Sequence, residues 1–219
     1  MHSGTMHVFA ISGLLHLFRV FSVKRTRAEL AFGQIDPSAS FDSEVFNMTE
    51  LTNPNRLYSR WEILSNPSPV PQVGGVYAWF FSRAPGITPT DGCLVHDSKL
   101  LLYVGISPDK PGKPNSKSNL FHRVRYHYRG NAEGSTLRRS LGILLTEESG
   151  YPLRRVGSGR RMTFTNLGEQ FLDQWMEDNA FVCWVEHDEP RELERTLLQT
   201  LSCPLNIQDN GGHAFHGQL

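Results

Sequence analysis

The chain is poor in cysteine, in net charge and in long apolar runs, and each shortage excludes a class of protein. Only three cysteines occur in 219 residues, Cys93, Cys183 and Cys203. Their spacing is unpaired, so neither a disulfide framework nor a zinc ribbon is encoded, and a reducing cytoplasm is the expected compartment. Formal net charge is zero, with 22 basic and 22 acidic side chains, which excludes a protein that coats nucleic acid through bulk charge. No segment reaches the roughly 18–20 apolar residues of a membrane helix. The nearest, VFAISGLLHLFRVFSV, is interrupted by His16 and Arg19, so no membrane association is expected. Acids do not cluster as a two-metal site would require. The HAFH run offers His213 and His216 without a cysteine or carboxylate close by in sequence, too few ligands for a metal site.

What is present suits a packed globular domain: 39% apolar and 20% charged residues. The charge is unevenly placed. Between Asn119 and Arg161 lie nine arginines against Glu133, Glu147 and Glu148, and from Glu169 to Glu194 the balance reverses. A basic stretch inside a neutral chain points to a local anion-binding face, with solvated helix faces as the plainer alternative.

Residues 1–69 read as an N-terminal extension, largely irregular or weakly helical. Arg19, Lys24, Arg25 and Arg27 precede the first acid, Glu29, which suits a transit peptide over residues 1–28 and an organellar address. The preferred reading places the first 47 residues upstream of a natural start at Met48. NPSPVPQV is a proline-punctuated linker. GVYAWFF and LLLYVGIS are strands, antiparallel because no crossover helix fits between them. PDKPGKPNSKS, over residues 108–118, is a polar loop. Asn119 caps a helix ending at Gly130, and Ser135 caps another. LRRVGSGRRMTF is irregular or a short hairpin. NLGEQFLDQWMEDN is an amphipathic helix, AFVCWVEH a third strand, and PRELERTLLQTL a last helix that stops before Pro204. The expected fold is α+β: a small three-stranded, mainly antiparallel sheet flanked by helices over residues 70–210, with a tail at 211–219.

Chemistry-bearing residues recur at matched places. Two strands each carry a phenol and a glycine, Gly75-Val76-Tyr77 and Tyr103-Val104-Gly105. Arg123 and His127 share a helix face four residues apart. Glu194 lies beside the stripe of Leu193, Leu197 and Leu201. A carboxylate at the edge of a core calls for a partner or a cation, the plainer alternative being a surface acid paired with Arg191 or Arg195.

Taken in order, these marks resemble the GIY-YIG nuclease domain. GVY and YVG match its two tripeptides, NLFHRVRYH supplies its helical arginine as Arg123, His127 stands where members carry His or Tyr, and ERTLLQTLSCPLN reproduces its glutamate pattern from Glu194 to Asn206. The resemblance implies an endonuclease that hydrolyses phosphodiester bonds with one divalent ion, Mg²⁺ or Mn²⁺, held by Glu194. It implies Arg123 as the phosphate clamp, Tyr77 as base toward water, Tyr103 as the group orienting water and phosphate, and His127 as a second proton carrier. Gly75 and Gly105 would let a sugar–phosphate backbone approach, with Arg125 and Asn206 as further substrate-site residues, Asn206 bracing the site through hydrogen bonds. The resemblance implies a nucleic-acid partner, with DNA favoured and the choice between DNA and RNA left open. Departures are the long PDKPGKPNSKS insertion, Ile106 where some members place a lysine, and an added segment with RRVGSGRR that points to substrate choice. A binding module of the same fold without catalysis stands as the alternative, with a protein-interaction adaptor behind it. No helix-turn-helix or zinc finger is evident. Direction by a targeting partner, the biological role and the oligomeric state stay open.

Overall fold

The computed structural model describes residues 37–108, 118–207 and 210–218. The transit-peptide reading of residues 1–28, most of the upstream reading of residues 1–47, and the bulk of the 108–118 loop lie outside the described residues.

In chain order the elements are α1 (Pro37–Thr52), β1 (Tyr58–Ser59), α2 (Arg60–Leu64), β2 (Gly75–Phe81), β3 (Val95–His96), β4 (Lys99–Ser107), α3 (Leu120–Arg129), α4 (Thr136–Leu144), α5 (Thr146–Ser149), β5 (Arg154–Arg155), β6 (Met162–Thr163), α6 (Asn166–Asn179), β7 (Ala180–Glu186) and α7 (Pro190–Thr200), closed by a 3₁₀ turn at His216–Gln218. The main sheet runs β1-β7-β2-β4-β3, antiparallel at every pairing. It has five strands, not the three expected. The two additions, β1 and β3, are two residues long, too short to show the period-2 pattern by which strands are read. Of the alternatives for residues 153–164, the hairpin is the one formed, β5 pairing with β6.

β2 is buried at every position because it is flanked on both edges and covered on both faces, which removes the need for alternating polarity. Tyr77, Trp79, Phe81 and Tyr103 face one layer, where they meet Val124 and Tyr128 of α3, Leu137 and Leu141 of α4, and Trp175 and Met176 of α6. Val76, Ala78, Phe80, Val104 and Ile106 face the other, where Leu51 of α1 and Leu193 and Leu197 of α7 close over them. Each fully buried side chain of this size contributes about 1.5–3 kcal/mol.

The chain before residue 70 takes part in both layers. Ile63 of α2 is fully buried and Leu51 nearly so. α1 covers its layer through few apolar side chains, Met48 and Leu51 among them, so no sustained periodicity marks it in the sequence. Past residue 210, Phe215 is buried. The three cysteines are free. Burial pushes the Cys183 and Cys203 thiols up to about 12, so neither is a thiolate near neutrality. Among the described residues no helix is long and apolar enough to cross a membrane.

Candidate active site

The site forms where the edge of β4 loses its cover. β3 pairs only with Lys99 and Leu100. The chain leaving α7 takes over: Leu205 N–H donates to the Leu102 carbonyl at 3.1 Å. Next, the Asn206 amide acts as a surrogate strand residue. Its Oδ1 accepts from Val104 N–H at 2.9 Å and its Nδ2 donates to the Val104 carbonyl at 2.7 Å. Beyond Val104 this edge has no strand partner among the described residues, and a pocket opens at Gly105 and Ile106. Tyr77, Tyr103, Arg123 and Thr136 line it from one layer, and Arg191 and Glu194 from the other.

Arg123 and His127 arrive on α3, whose start is fixed by the Asn119 side chain accepting from His122 N–H at 2.9 Å. Arg123 Nε donates to the Tyr77 hydroxyl at 3.4 Å, and its Nη1 donates to the Gly134 carbonyl at 3.0 Å. Tyr77 Oη lies 2.8 Å from His127 Nε2, and His127 Nδ1 lies 2.7 Å from Ser135 Oγ. Both Tyr77 and His127 are buried. Burial, then the cations Arg123 and Arg138, hold the His127 imidazole well below its ordinary value, so it is neutral. Burial first, with Tyr103 next, holds the Tyr77 phenol well above its ordinary value against the opposing pull of Arg123, so it keeps its proton. Arg123 donates to the phenol oxygen, so we assign the phenol proton toward His127 Nε2. The imidazole hydrogen is then on Nδ1, donating to Ser135.

Tyr103 Oη lies 3.1 Å from Thr136 Oγ1, which ties this phenol to the first residue of α4. A Cβ on Gly105 would lie 2.5 Å from the Tyr77 hydroxyl, so this glycine makes room for the phenol opposite it as well as opening the strand to the pocket.

Two expected substrate contacts lie elsewhere. Gly75 does not line the pocket. A Cβ there would lie 2.1 Å from the Val185 carbonyl oxygen and 2.9 Å from Leu120 Cδ1, so close packing, not phosphate access, requires glycine. Arg125 is two positions along α3 from Arg123 and points away from it. Its Nη1 donates to the Ile63 carbonyl at 2.6 Å, and its guanidinium lies over Phe121. Asn206 does reach the pocket, yet Val104 engages both ends of its amide, which makes it a brace.

Thr136 and Arg191 line the pocket but were not read from the sequence as site residues. Thr136 follows the cap Ser135 directly, and that position was the available signal. Arg191 precedes Glu194 by three residues on α7, the helical spacing that puts both on one side. In the sequence it reads only as an ion-pair partner.

Among the described residues no three His, Cys, Asp or Glu side chains gather as a metal site. The pocket's acidic donor is Glu194, amid phenol, hydroxyl and amide oxygens. One carboxylate in an oxygen-rich pocket fits a hard cation that retains most of its water, Mg²⁺ or Mn²⁺. It does not fit zinc, which takes nitrogen and sulfur.

A guanidinium, a carboxylate and two phenols thus line one pocket at an open sheet edge of an α+β fold. The family model of the GIY-YIG catalytic domain matches residues 75–218, and the chain belongs to that family. Searches of curated proteins and of solved structures found no match. Membership suggests a nuclease and implies a nucleic-acid substrate, and nucleases of this family generally depend on a divalent metal.

Proposed function

We propose that the protein is an endonuclease that cuts DNA by hydrolysis, using Mg²⁺ or Mn²⁺ at Glu194. The observation that carries this reading is the convergence of Tyr77, Tyr103, Arg123 and Glu194 on one pocket from both sides of the sheet. A bound divalent ion would supply charge to offset the developing negative oxygens and lower the pKa of a water. The residues supply the rest. Glu194 holds the cation. Arg123 faces the scissile phosphate with its planar fork of donors, anchored by its bond to the Gly134 carbonyl.

Tyr77 acts as a relay rather than as a standing phenolate. Its own proton already points at the neutral imidazole of His127. As the attacking water gives a proton to the phenol oxygen, the phenol passes its proton to His127 Nε2, whose depressed proton affinity rises as the phosphate's negative charge enters the pocket, and Ser135 Oγ steadies the ring. Tyr103, held by Thr136, orients the water and the phosphate. Unaided phosphate-ester hydrolysis is slow enough that roughly 20 kcal/mol of barrier must be removed, and charge placed before the reaction is the largest single means available.

The test offers purified protein single-stranded, duplex and flap DNA, and RNA, with Mg²⁺, Mn²⁺ or EDTA. Metal-dependent nicking of DNA that Glu194→Ala abolishes supports the reading. Salt-sensitive binding with no cleavage in any metal replaces it with the binding-module alternative.

A further inference from the structure

Between Glu148 and Glu169 the chain carries Arg154, Arg155, Arg160 and Arg161 and no acid. All four arginines are exposed, and none forms an ion pair with another described residue. They sit on the β5–β6 hairpin, in which Arg154 pairs with Thr163 and Arg155 with Met162. Val156 N–H donates to the Arg161 carbonyl in the next rung. Gly157, Ser158 and Gly159 make the turn, Gly157 with a φ of 70°, a conformation natural to glycine. Strand alternation sends Arg154 and Arg155 to opposite faces, so the arm is positive on both sides.

Its base is fixed while its tip is in solvent. Phe164 packs on α4 so closely that a Cβ on Gly142 would fall 2.1 Å from its ring. The Glu169 carboxylate accepts from Thr163 Oγ1 at 2.8 Å. The arm is also joined to the rim of the active site: Met162 N–H donates to Glu133 Oε2 at 2.9 Å, and the next residue, Gly134, accepts from Arg123 at 3.0 Å. An exposed block of four guanidiniums on a hairpin bonded to the loop that holds Arg123 matches a ligand of repeated negative charge lying past that arginine.

We propose that this hairpin is an arm that grips the phosphate backbone of the substrate beyond the cleavage pocket. The proposal rests on the nuclease reading but is tested apart from it. The variant R154Q/R155Q/R160Q/R161Q keeps a polar side chain at each position and removes the charge. The first readout is duplex DNA affinity against salt, measured in an E194A background so that no turnover is needed. Each engaged phosphate contributes about 0.9 to the slope of log affinity on log salt. The fourfold change should therefore flatten that slope by up to about 3.6 and weaken binding at 0.15 M salt at least about tenfold. R154K/R155K/R160K/R161K should restore the slope. In the cleaving protein the glutamine variant should raise KM by a similar factor and leave kcat within about twofold.

An unchanged slope and KM in a folded glutamine variant, with the parent still cutting, overturns the arm and leaves the nuclease reading intact. A flattened slope in a protein that cuts nothing supports the arm and removes the nuclease reading. If the arm instead serves an acidic protein, slope and KM for DNA stay unchanged, and the proposal fails. Should the fourfold variant unfold, R154Q/R155Q and R160Q/R161Q are read separately, each flattening the slope by about half as much.

Discussion

Gly105 stands directly opposite Tyr77 in the register of β2 and β4, and the Cβ it lacks would lie 2.5 Å from the Tyr77 hydroxyl. The glycine of one strand is thus the seat of the phenol of its neighbour. That seat aims the hydroxyl at His127 and Arg123. Gly105→Ala pushes the ring off this line. We expect nicking to fall about a hundredfold while overpacking costs about 1–3 kcal/mol, read by cleavage assay and urea unfolding. Gly75→Ala meets backbone instead, the Val185 carbonyl. There the loss should be one of stability, with activity falling only as far as the folded fraction does.

His127 gives the stability a particular acid dependence. Its folded value is held below the ordinary 6.5. Above pH 6.5 the ring is neutral in both folded and unfolded chains and contributes no slope. As pH falls below it, the unfolded chain takes up a proton that the folded chain refuses, so stability declines by at most about 1.4 kcal/mol per pH unit until the folded value is reached. His127→Gln lacks that share. Its unfolding midpoint should fall less than the parent's between about pH 6.5 and 5, and parallel curves would contradict the assignment of a buried neutral ring.

Asn206→Ala leaves the N–H and C=O of Val104 buried without their present partner. At about 1–3 kcal/mol for each of the two unsatisfied groups, the expected cost is about 2–6 kcal/mol in denaturant. Asn206→Asp keeps the acceptor but sets a buried carboxylate oxygen against the Val104 carbonyl, so near neutral pH it should cost at least as much as Ala. An Ala variant as stable as the parent would show that water replaces the amide.

The two neighbouring arginines of α3 should separate cleanly. Arg123→Ala is expected to lower kcat by about 10²–10³ with the fold intact. Arg125→Ala should leave kcat alone and cost about 1 kcal/mol, because it ties α3 to the end of α2 through the Ile63 carbonyl. Equal effects on kcat from both would mean that the basic helix acts as a diffuse field rather than through one clamp.

What the sequence disclosed, and what it withheld, follows the length scale of each signal. The strands of Tyr77 and Tyr103 were legible because apolar runs of seven or more residues carry their own evidence, and the caps Asn119 and Ser135 because a polar residue before a periodic stretch has one common use. Arg123 and Glu194 were legible as types in an ordered pattern. The direction of each side chain was not. Arg125 was grouped with Arg123 although two steps on a helix turn it to another neighbour. Gly75 was credited with phosphate access because nothing in a linear string records the Val185 carbonyl beneath it. His127 was legible as sharing a helix face with Arg123, but its burial depends on Tyr77, Trp79 and Ser135, all distant in sequence from it or beyond its helix. β1 and β3 exist only as pairings, so no local pattern announced them.

Arg123 and Glu194 ride on helices that cover opposite faces of one sheet, and they meet only around its edge. Neither half of the molecule can assemble the cutting centre by itself. With one layer closed and the other loose the guanidinium and the carboxylate stay apart, so the pocket is complete only once both layers have docked.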